Sequence, residues 1–302
     1  MSVHRSRGIQ RNPFKAGSTP FGQSAGKMSR LRSFSSFLAV LFLGAFVVSP
    51  QVSSGSLENT AGDPKAMLEA AFVNRYDVNS TAEIELVIRN RRGQERRRNF
   101  EAASKIIDDR MHSIGRLTYP GHLRGMTILQ IEAKDRSHDA FVYLPSSRSV
   151  RRISTNQRGD AFFGTDVTYE DLERRYAKDY EILDVTADTI EGEPVWAVRA
   201  RPLLRQTYHE VVFWVAQVDP AILQVHFFKK DADEPFRTLV SPRTDMYEEQ
   251  GHILPTRMVV ENVSRGTTTE VIFERLAINP DIDDRIFSAR TLQQKRDIPT
   301  RH

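Results

Sequence analysis

Residues 141–173 read FVYLPSSRSVRRISTNQRGDAFFGTDVTYEDLE, and this stretch decides the fold class of the chain. An apolar strand, Phe141–Leu144, turns at a Pro-Ser-Ser sequence and returns as a basic strand. A glycine-containing loop with the adjacent pair Phe162 and Phe163 follows, and then a short acidic and aromatic segment. The order predicts a β-shell with a lid over an apolar cavity, and it does not resemble a catalytic motif.

Elsewhere the apolar residues recur with a period of two. Ile84, Leu86 and Ile88 alternate with charged residues, and Leu129 and Ile131 alternate with polar ones. Turn signals separate short strands at roughly 8–12-residue spacing, which is typical of antiparallel all-β domains. We therefore predict a long antiparallel meander of about ten or more strands, without alternating βα units or an internal repeat.

Two helices are predicted beside these strands. Asp63 and Pro64 are suited to begin the first one, since Asp is a good N-cap and Pro fits the first turn. Its apolar face has helical spacing and consists of Leu68, Ala71, Phe72, Arg75 and Tyr76. A second helix is predicted from Thr168, with Asp171 completing a capping box and Tyr169, Leu172 and Tyr176 on one face.

The N-terminal part has the pattern of an export signal. The apolar run 37–48 follows basic residues and is shorter than the ~20 residues of a membrane-spanning helix. An uncleaved N-terminal anchor is the alternative. The predicted organisation is a basic extension with signal peptide over 1–55, a linker over 56–64, one domain over 65–292 and a polar tail over 293–302.

Charge and cysteine content exclude several classes of function. Residues 1–55 contain seven of the 43 Lys and Arg and none of the 39 Asp and Glu, so the remainder has 36 basic against 39 acidic residues. The net charge of +4 therefore comes from the segment that we expect to be removed, and it does not indicate nucleic-acid binding. The absence of cysteine excludes disulfides, thiol nucleophiles and Cys-based metal sites.

Several strands are apolar on both faces, whereas an antiparallel strand with one face in water should be half polar. Either the outer face of the sheet is covered, or the inner face lines an apolar pocket. Few helices are predicted to cover so large a sheet, which favours the pocket. The candidate wall residues are Phe141, Tyr143, Phe213, Trp214, Phe227 and Phe228; the candidate lid residues are Phe162, Phe163, Tyr169 and Leu172.

No nucleophile elbow, phosphate-binding loop or metal-binding histidine pair is present, so no catalytic residue, metal or cofactor is predicted. The arginines near the hairpin suit a phosphate head group or a lid contact, because guanidinium binds phosphate bidentately. Alternatively they pair with Asp160, Asp166 or Glu170. The candidate head-group or lid contacts are Arg148, Arg151, Arg152 and Asp166.

The chain resembles the outer-membrane lipoprotein-sorting-like proteins, the relatives of the periplasmic lipoprotein carrier. The matching motifs are Tyr143–Pro145, Arg148–Ile153, Arg158–Asp160, Phe163–Asp166, Tyr169–Leu172, Leu254–Thr256 and Asp283–Phe287. The resemblance covers about residues 65–292. It implies a mainly β fold with a few helices, namely a strongly curved, incomplete antiparallel β-barrel with a helical lid over a cavity for acyl chains.

The resemblance also implies a function: a periplasmic, non-enzymatic carrier of a lipid or of lipoprotein acyl chains. Its expected partners are an inner-membrane transporter or an outer-membrane acceptor, and no nucleic acid. One alternative is a periplasmic lipid-modifying hydrolase that uses Asp and His in the same cleft. Another is a scaffold subunit of an envelope complex, whose exposed aromatic residues bind a protein.

Overall fold

The computed structural model describes residues 63–135, 138–294 and 296–300. The predicted signal peptide and most of the predicted linker lie outside the described residues. The helix α1 (Pro64–Tyr76) begins as expected, because the Asp63 carboxylate accepts hydrogen bonds from the backbone N–H groups of Lys65 and Ala66. In the described part of the chain, no helix is long and apolar enough to cross a membrane.

Strands make up most of the rest. They are β1 (Ser80–Arg89), β2 (Glu95–Ile107), β3 (Arg110–Tyr119), β4 (Thr127–Glu132), β5 (His138–Leu144), β6 (Ser149–Ile153), β7 (Tyr180–Ile190), β8 (Glu193–Pro202), β9 (Glu210–Ala216), β10 (Ile222–Phe228), β11 (Arg237–Val240), β12 (Met246–Glu249), β13 (His252–Pro255), β14 (Arg257–Asn262) and β15 (Thr267–Ile278).

Thirteen strands form one antiparallel sheet in the order β6-β5-β4-β3-β2-β1-β15-β14-β11-β10-β9-β8-β7, while β12 and β13 form a separate hairpin. The predicted meander is confirmed: β1 to β6 and β7 to β11 each pair with their neighbours in sequence. The strands β6 and β7 are the two edges of the sheet and do not pair with each other. The sheet is therefore not closed into a barrel.

The sheet is strongly curved. Phe100 on β2 and Phe227 on β10 line one cavity, although five strand-to-strand steps separate them. In a flat sheet those steps would place the two strands ~24 Å apart. Only a curved shell brings them to the same cavity, which confirms the incomplete barrel.

The connection between β6 and β7, residues 154–179, joins the two edges and crosses the concave face; we call it the lid. It contains short 3₁₀ turns at Thr155–Gln157, Phe162–Gly164, Tyr169–Leu172 and Ala177–Asp179. The predicted lid helix was wrong beyond Leu172, where the chain becomes extended. Each of the next three residues binds a different partner. These are Glu173 with Arg158, Arg174 with Asp77, and Arg175 with Tyr208.

The helix α1 packs on the concave side of the other half of the sheet. Leu68 and Phe72 lie against Val211 and Phe213 of β9, and all four side chains are buried. The ring of Phe72 meets that of Phe213 edge to face, with centroids 5.2 Å apart. Of the predicted helices, α1 is the one α-helix among the described residues.

The convex face of β2 to β5 is covered by residues 279–294 and 296–300, which we call the C-terminal cover. Ile282, Phe287 and Ile298 of this segment are buried against Ile114 and Leu129. The segment predicted as a polar tail from residue 293 is thus partly apolar and packed, since Ile298 is 4% exposed. The cover also explains why these strands are apolar on both faces: one face lines the cavity and the other meets the cover.

Candidate functional site

An apolar cavity of about 260 Å³ lies between the concave face of the sheet and the lid. Side chains from both halves of the shell line it, together with the lid and α1. The apolar ones include Leu86, Phe100, Ile128, Phe162, Leu172, Phe213, Phe227, Val260 and Val271. Such a concave, mainly apolar space is typical of a small-molecule site.

The aromatic residues of the lid close the cavity on one side. The ring of Phe162 stacks on Phe100 with centroids 5.4 Å apart, and Phe163 lies 5.7 Å from the same ring. Tyr169 meets Phe162 edge to face at 5.7 Å. Phe163 has a φ of 46°, a left-handed conformation that costs a bulky residue ~1–2 kcal/mol. Its contacts with the other rings offset this cost.

Four charged side chains line the cavity, those of Arg75, Asp171, Arg175 and Arg237. Arg237 of β11 donates two hydrogen bonds to the Asp171 carboxylate, at 2.5 and 2.8 Å, and Arg175 lies 3.6 Å from the same carboxylate. Burial by itself would raise the pKa of Asp171, but the two arginines outweigh burial and lower it. The lid is therefore held to β11 by a buried, ionised pair.

Two tyrosines hold Arg175 in place. Its guanidinium donates to the hydroxyl oxygens of Tyr180 and Tyr208, at 2.7 and 2.6 Å. Burial raises the pKa of Tyr208 well above its usual value, so this hydroxyl stays neutral. The tyrosines satisfy the guanidinium N–H groups but do not neutralise its charge.

The lid has further anchors, each a buried carboxylate. Asp166 accepts from the hydroxyl of Thr269 at 3.0 Å and from that of Thr267 at 2.5 Å, which ties the lid to β15. Glu170 accepts from the backbone N–H and the hydroxyl of Thr207. Burial raises the pKa of Glu170 above its ordinary value, with the hydrogen bond from Thr207 acting in the opposite direction.

The structure places some of the expected wall and lid residues at the cavity. Phe162, Leu172, Phe213 and Phe227 line it. Phe163 and Tyr169 belong to the same apolar cluster, beside Phe162. These six side chains come together from the lid, β9 and β10.

Four expected wall residues lie elsewhere. Phe141 and Tyr143 of β5 pack on the convex side under the C-terminal cover, while Val142 between them belongs to the cluster around the cavity. Trp214 is on the outer side of β9, where its indole N–H donates to Asp188 at 2.9 Å. Phe228 lies under the guanidinium of Arg199, at 5.6 Å.

The expected head-group arginines do not line the cavity. Arg148 is exposed in the β5–β6 turn, and Arg151 and Arg152 are exposed on the edge strand β6. Arg152 pairs with Asp139, which is not one of the carboxylates we had considered. Asp166 is buried and acts as a lid contact, as described above.

The arginines that do line the cavity, Arg75, Arg175 and Arg237, were missed as site residues. Arg75 carried a signal, because it falls within the apolar face of the predicted helix, where a charge is unusual. Arg175 and Arg237 carried none, since their positions follow from long-range packing of the lid and β11.

Groups suited to acid–base or metal chemistry are sparse. No group of three His, Asp or Glu that could hold a metal ion occurs among the described residues. His138 lies 3.7 Å from Glu173 and burial lowers its pKa, but it does not line the cavity. Among the described residues, Asp171 is the only carboxylate in the lining.

Solved structures with similar folds include three that span most of this chain. An outer-membrane lipoprotein-sorting protein domain from Vibrio parahaemolyticus is 20% identical, with a TM-score of 0.68, and the match covers 78% of this chain and 97% of that one. A DUF1329 family protein from Desulfovibrio piger is 23% identical, with a TM-score of 0.69, covering 76% and 98%. A LolA superfamily protein from Nitrosomonas europaea is 21% identical, with a TM-score of 0.59, covering 74% and 96%.

Sequence comparisons identify a family to which the chain belongs. No functionally curated protein matches the chain. A family model matches residues 109–294, which is more than half of the chain. Its description is "-like: Uncharacterized protein". That range includes the lid and most of the sheet. The chain therefore belongs to this family, and it has the fold of the outer-membrane lipoprotein-sorting proteins.

Proposed function

We propose that the protein is a periplasmic, non-enzymatic carrier that holds the acyl part of a lipid or lipoprotein in the cavity under the lid. The observation that supports this most directly is the apolar cavity itself, which lies between an open, curved sheet and a segment that joins its two edges. An apolar concave surface is unfavourable in water unless it is covered. The lid covers it here, and an acyl chain would do so equally well.

The size of the cavity indicates what fits the closed form. A volume of about 260 Å³ is slightly below the ~300–1,000 Å³ of typical drug-sized ligand sites. It suits a segment of one acyl chain, and a lipid with several chains would require the lid to move outward. Burying ~10 methylene groups would contribute ~8 kcal/mol, which is compatible with reversible binding.

The polar groups favour binding over hydrolysis. A general base needs a free carboxylate or imidazole at the reacting atoms. Asp171 is instead held by Arg237 and Arg175 with a lowered pKa, and His138 lies outside the lining. We therefore favour the carrier over the lipid-modifying hydrolase.

The similar structures support the class of cargo. One is described as a lipoprotein-sorting domain, and another belongs to the LolA superfamily. With the export signal expected at residues 1–55, this favours transfer of a lipid or lipoprotein across the periplasm. The proposed partners are an inner-membrane transporter that loads the cavity or an outer-membrane acceptor that empties it.

Native mass spectrometry of protein purified without detergent from its own periplasm tests this proposal. We expect one bound lipid per chain. Ala102→Phe places an aromatic ring in the cavity and should remove most of the bound lipid. Ala187→Phe makes the same substitution at an exposed position on the edge strand β7 and should leave lipid occupancy unchanged. Wild-type protein without lipid, or equal occupancy in both variants, would contradict the carrier function.

A further inference from the structure

The charged groups that line the cavity carry more positive than negative charge. Three guanidinium groups, those of Arg75, Arg175 and Arg237, line the cavity with the single carboxylate of Asp171. Arg237 and Arg175 share that carboxylate, at 2.5 and 3.6 Å. An uncompensated charge inside a protein is costly, so the surplus calls for an anion.

Arg75 is the least satisfied of the three by charge. It lies in the last turn of α1, where its guanidinium contacts the sulfur of Met258 at 2.7 Å and the ring of Tyr76 at 5.9 Å. Among the described residues, no Asp or Glu lies within ion-pair distance of it. The favourable interaction of an arginine with a helix C-terminus supplies only ~0.3–1 kcal/mol.

Arg237 is less suited to bind the anion. Its guanidinium is held by Asp171 and by the ring of Phe227, whose centroid lies 4.3 Å away. Its Nε has no hydrogen-bond partner in the described part of the chain, but this atom has less than 1 Å² of accessible surface. A ligand in the cavity does not reach it, so we assign the anion to Arg75.

The nearest other carboxylate does not remove the surplus. Glu170 interacts electrostatically with Arg175 and Arg237, but it is hydrogen-bonded to Thr207 and lies outside the lining. Its carboxylate is therefore bound to protein groups outside the cavity.

We infer that the ligand of this cavity is an amphiphile with an anionic head group, whose carboxylate or phosphate oxygens are bound by Arg75 while its acyl chain lies between Phe100 and Phe227. This inference rests on the proposed carrier function and specifies its cargo. Guanidinium binds both kinds of oxygen anion through paired hydrogen bonds.

The test compares three ligands with the same C16 chain: palmitate, hexadecyl phosphate and the neutral hexadecanol. Each is titrated calorimetrically, below its aggregation concentration, into delipidated protein purified from its own cells. We expect at least one anion to bind about tenfold or more tightly than hexadecanol, because charged hydrogen bonds in a buried site are strong. The stronger of the two anions distinguishes a carboxylate from a phosphate head group.

Arg75→Gln removes one charge without breaking an ion pair among the described residues. It should reduce the preference for the anion over hexadecanol to about threefold or less. Lys65→Gln removes a charge from the exposed side of the same helix and should keep the full preference.

The outcomes separate the two proposals. Equal binding of all three ligands would overturn the anionic head group and leave the carrier function intact. No binding of any of them would contradict the carrier function itself. An anion preference that persists in Arg75→Gln would overturn the assignment of this arginine.

Discussion

Asp171→Asn removes the carboxylate that two buried arginines share, and we expect it to lower the free energy of unfolding by about 3 kcal/mol. Arg237 is 2% exposed and donates two hydrogen bonds to this carboxylate, and Arg175 lies 3.6 Å away. Breaking a buried ion pair from one side typically costs ~3–5 kcal/mol. The lower end applies because asparagine keeps one acceptor oxygen.

The same residue also organises the lid locally. The backbone N–H and the hydroxyl of Thr168 each donate to the Asp171 carboxylate at 2.8 Å. Loss of charge weakens these bonds together with the two from Arg237. We therefore expect faster backbone hydrogen exchange over residues 160–172 in the variant, with little change in β7 to β9.

Urea unfolding followed by the fluorescence of Trp196 and Trp214 measures the loss. A change of 3 kcal/mol corresponds to a decrease in melting temperature of ~6–12 °C for a domain of this size. The control is Asp139→Asn, which breaks a surface pair with Arg152, whose side chain is 68% exposed. We expect this control to change the stability by less than ~0.5 kcal/mol.

The pH dependence has a definite sign. The folded-state pKa of Asp171 lies below its ordinary value of 3.8, so its contribution is present above pH 3.8 and is lost as the pH falls through the folded-state pKa. The difference between wild type and Asp171→Asn should therefore be largest at neutral pH and shrink in acid. A neutral-pH loss no larger than that of Asp139→Asn would refute the buried pair as the anchor of the lid.

Two further predictions concern other parts of the molecule. Burial raises the folded-state pKa of Glu170 above 4.5, so the folded state binds more protons and wild-type stability falls as the pH rises through this window. Glu170→Gln keeps an acceptor for Thr207 and should be more stable than wild type at neutral pH. The free energies of unfolding of variant and wild type should converge in acid. Equal dependence of the two free energies on pH would contradict this. Phe287→Ala should cost ~3–5 kcal/mol in urea unfolding because the side chain is buried in the C-terminal cover. Native mass spectrometry should show unchanged lipid occupancy in that variant, since Phe287 lies on the convex side, and a loss of lipid would contradict the assignment.

Local features of the fold follow from the sequence. The start of α1 depends on Asp63 and Pro64, which act within one turn. The presence of strands follows from the alternation of apolar and polar residues. The presence of the lid follows from a long apolar and acidic segment between two predicted strands. These are properties of neighbouring residues, so no tertiary information is needed to predict them.

Only the tertiary structure decided which face of each strand turns toward the cavity. In β5 both faces are apolar, so periodicity does not tell whether Phe141 or Val142 turns inward. The answer depends on the C-terminal cover, whose apolar residues are spread through a segment without regular periodicity. Packing of this cover placed Phe141 and Tyr143 on the outside.

The charge of the cavity was likewise decided only by the tertiary structure. The sequence by itself determined that the chain forms an antiparallel sheet with an apolar lid, because alternation and composition are local. The charged groups of the lining come from distant parts of the chain: Arg75 from α1, Asp171 and Arg175 from the lid, and Arg237 from β11. Electrostatic pairing acts through space, and only folding brings Asp171 within hydrogen-bond distance of Arg237.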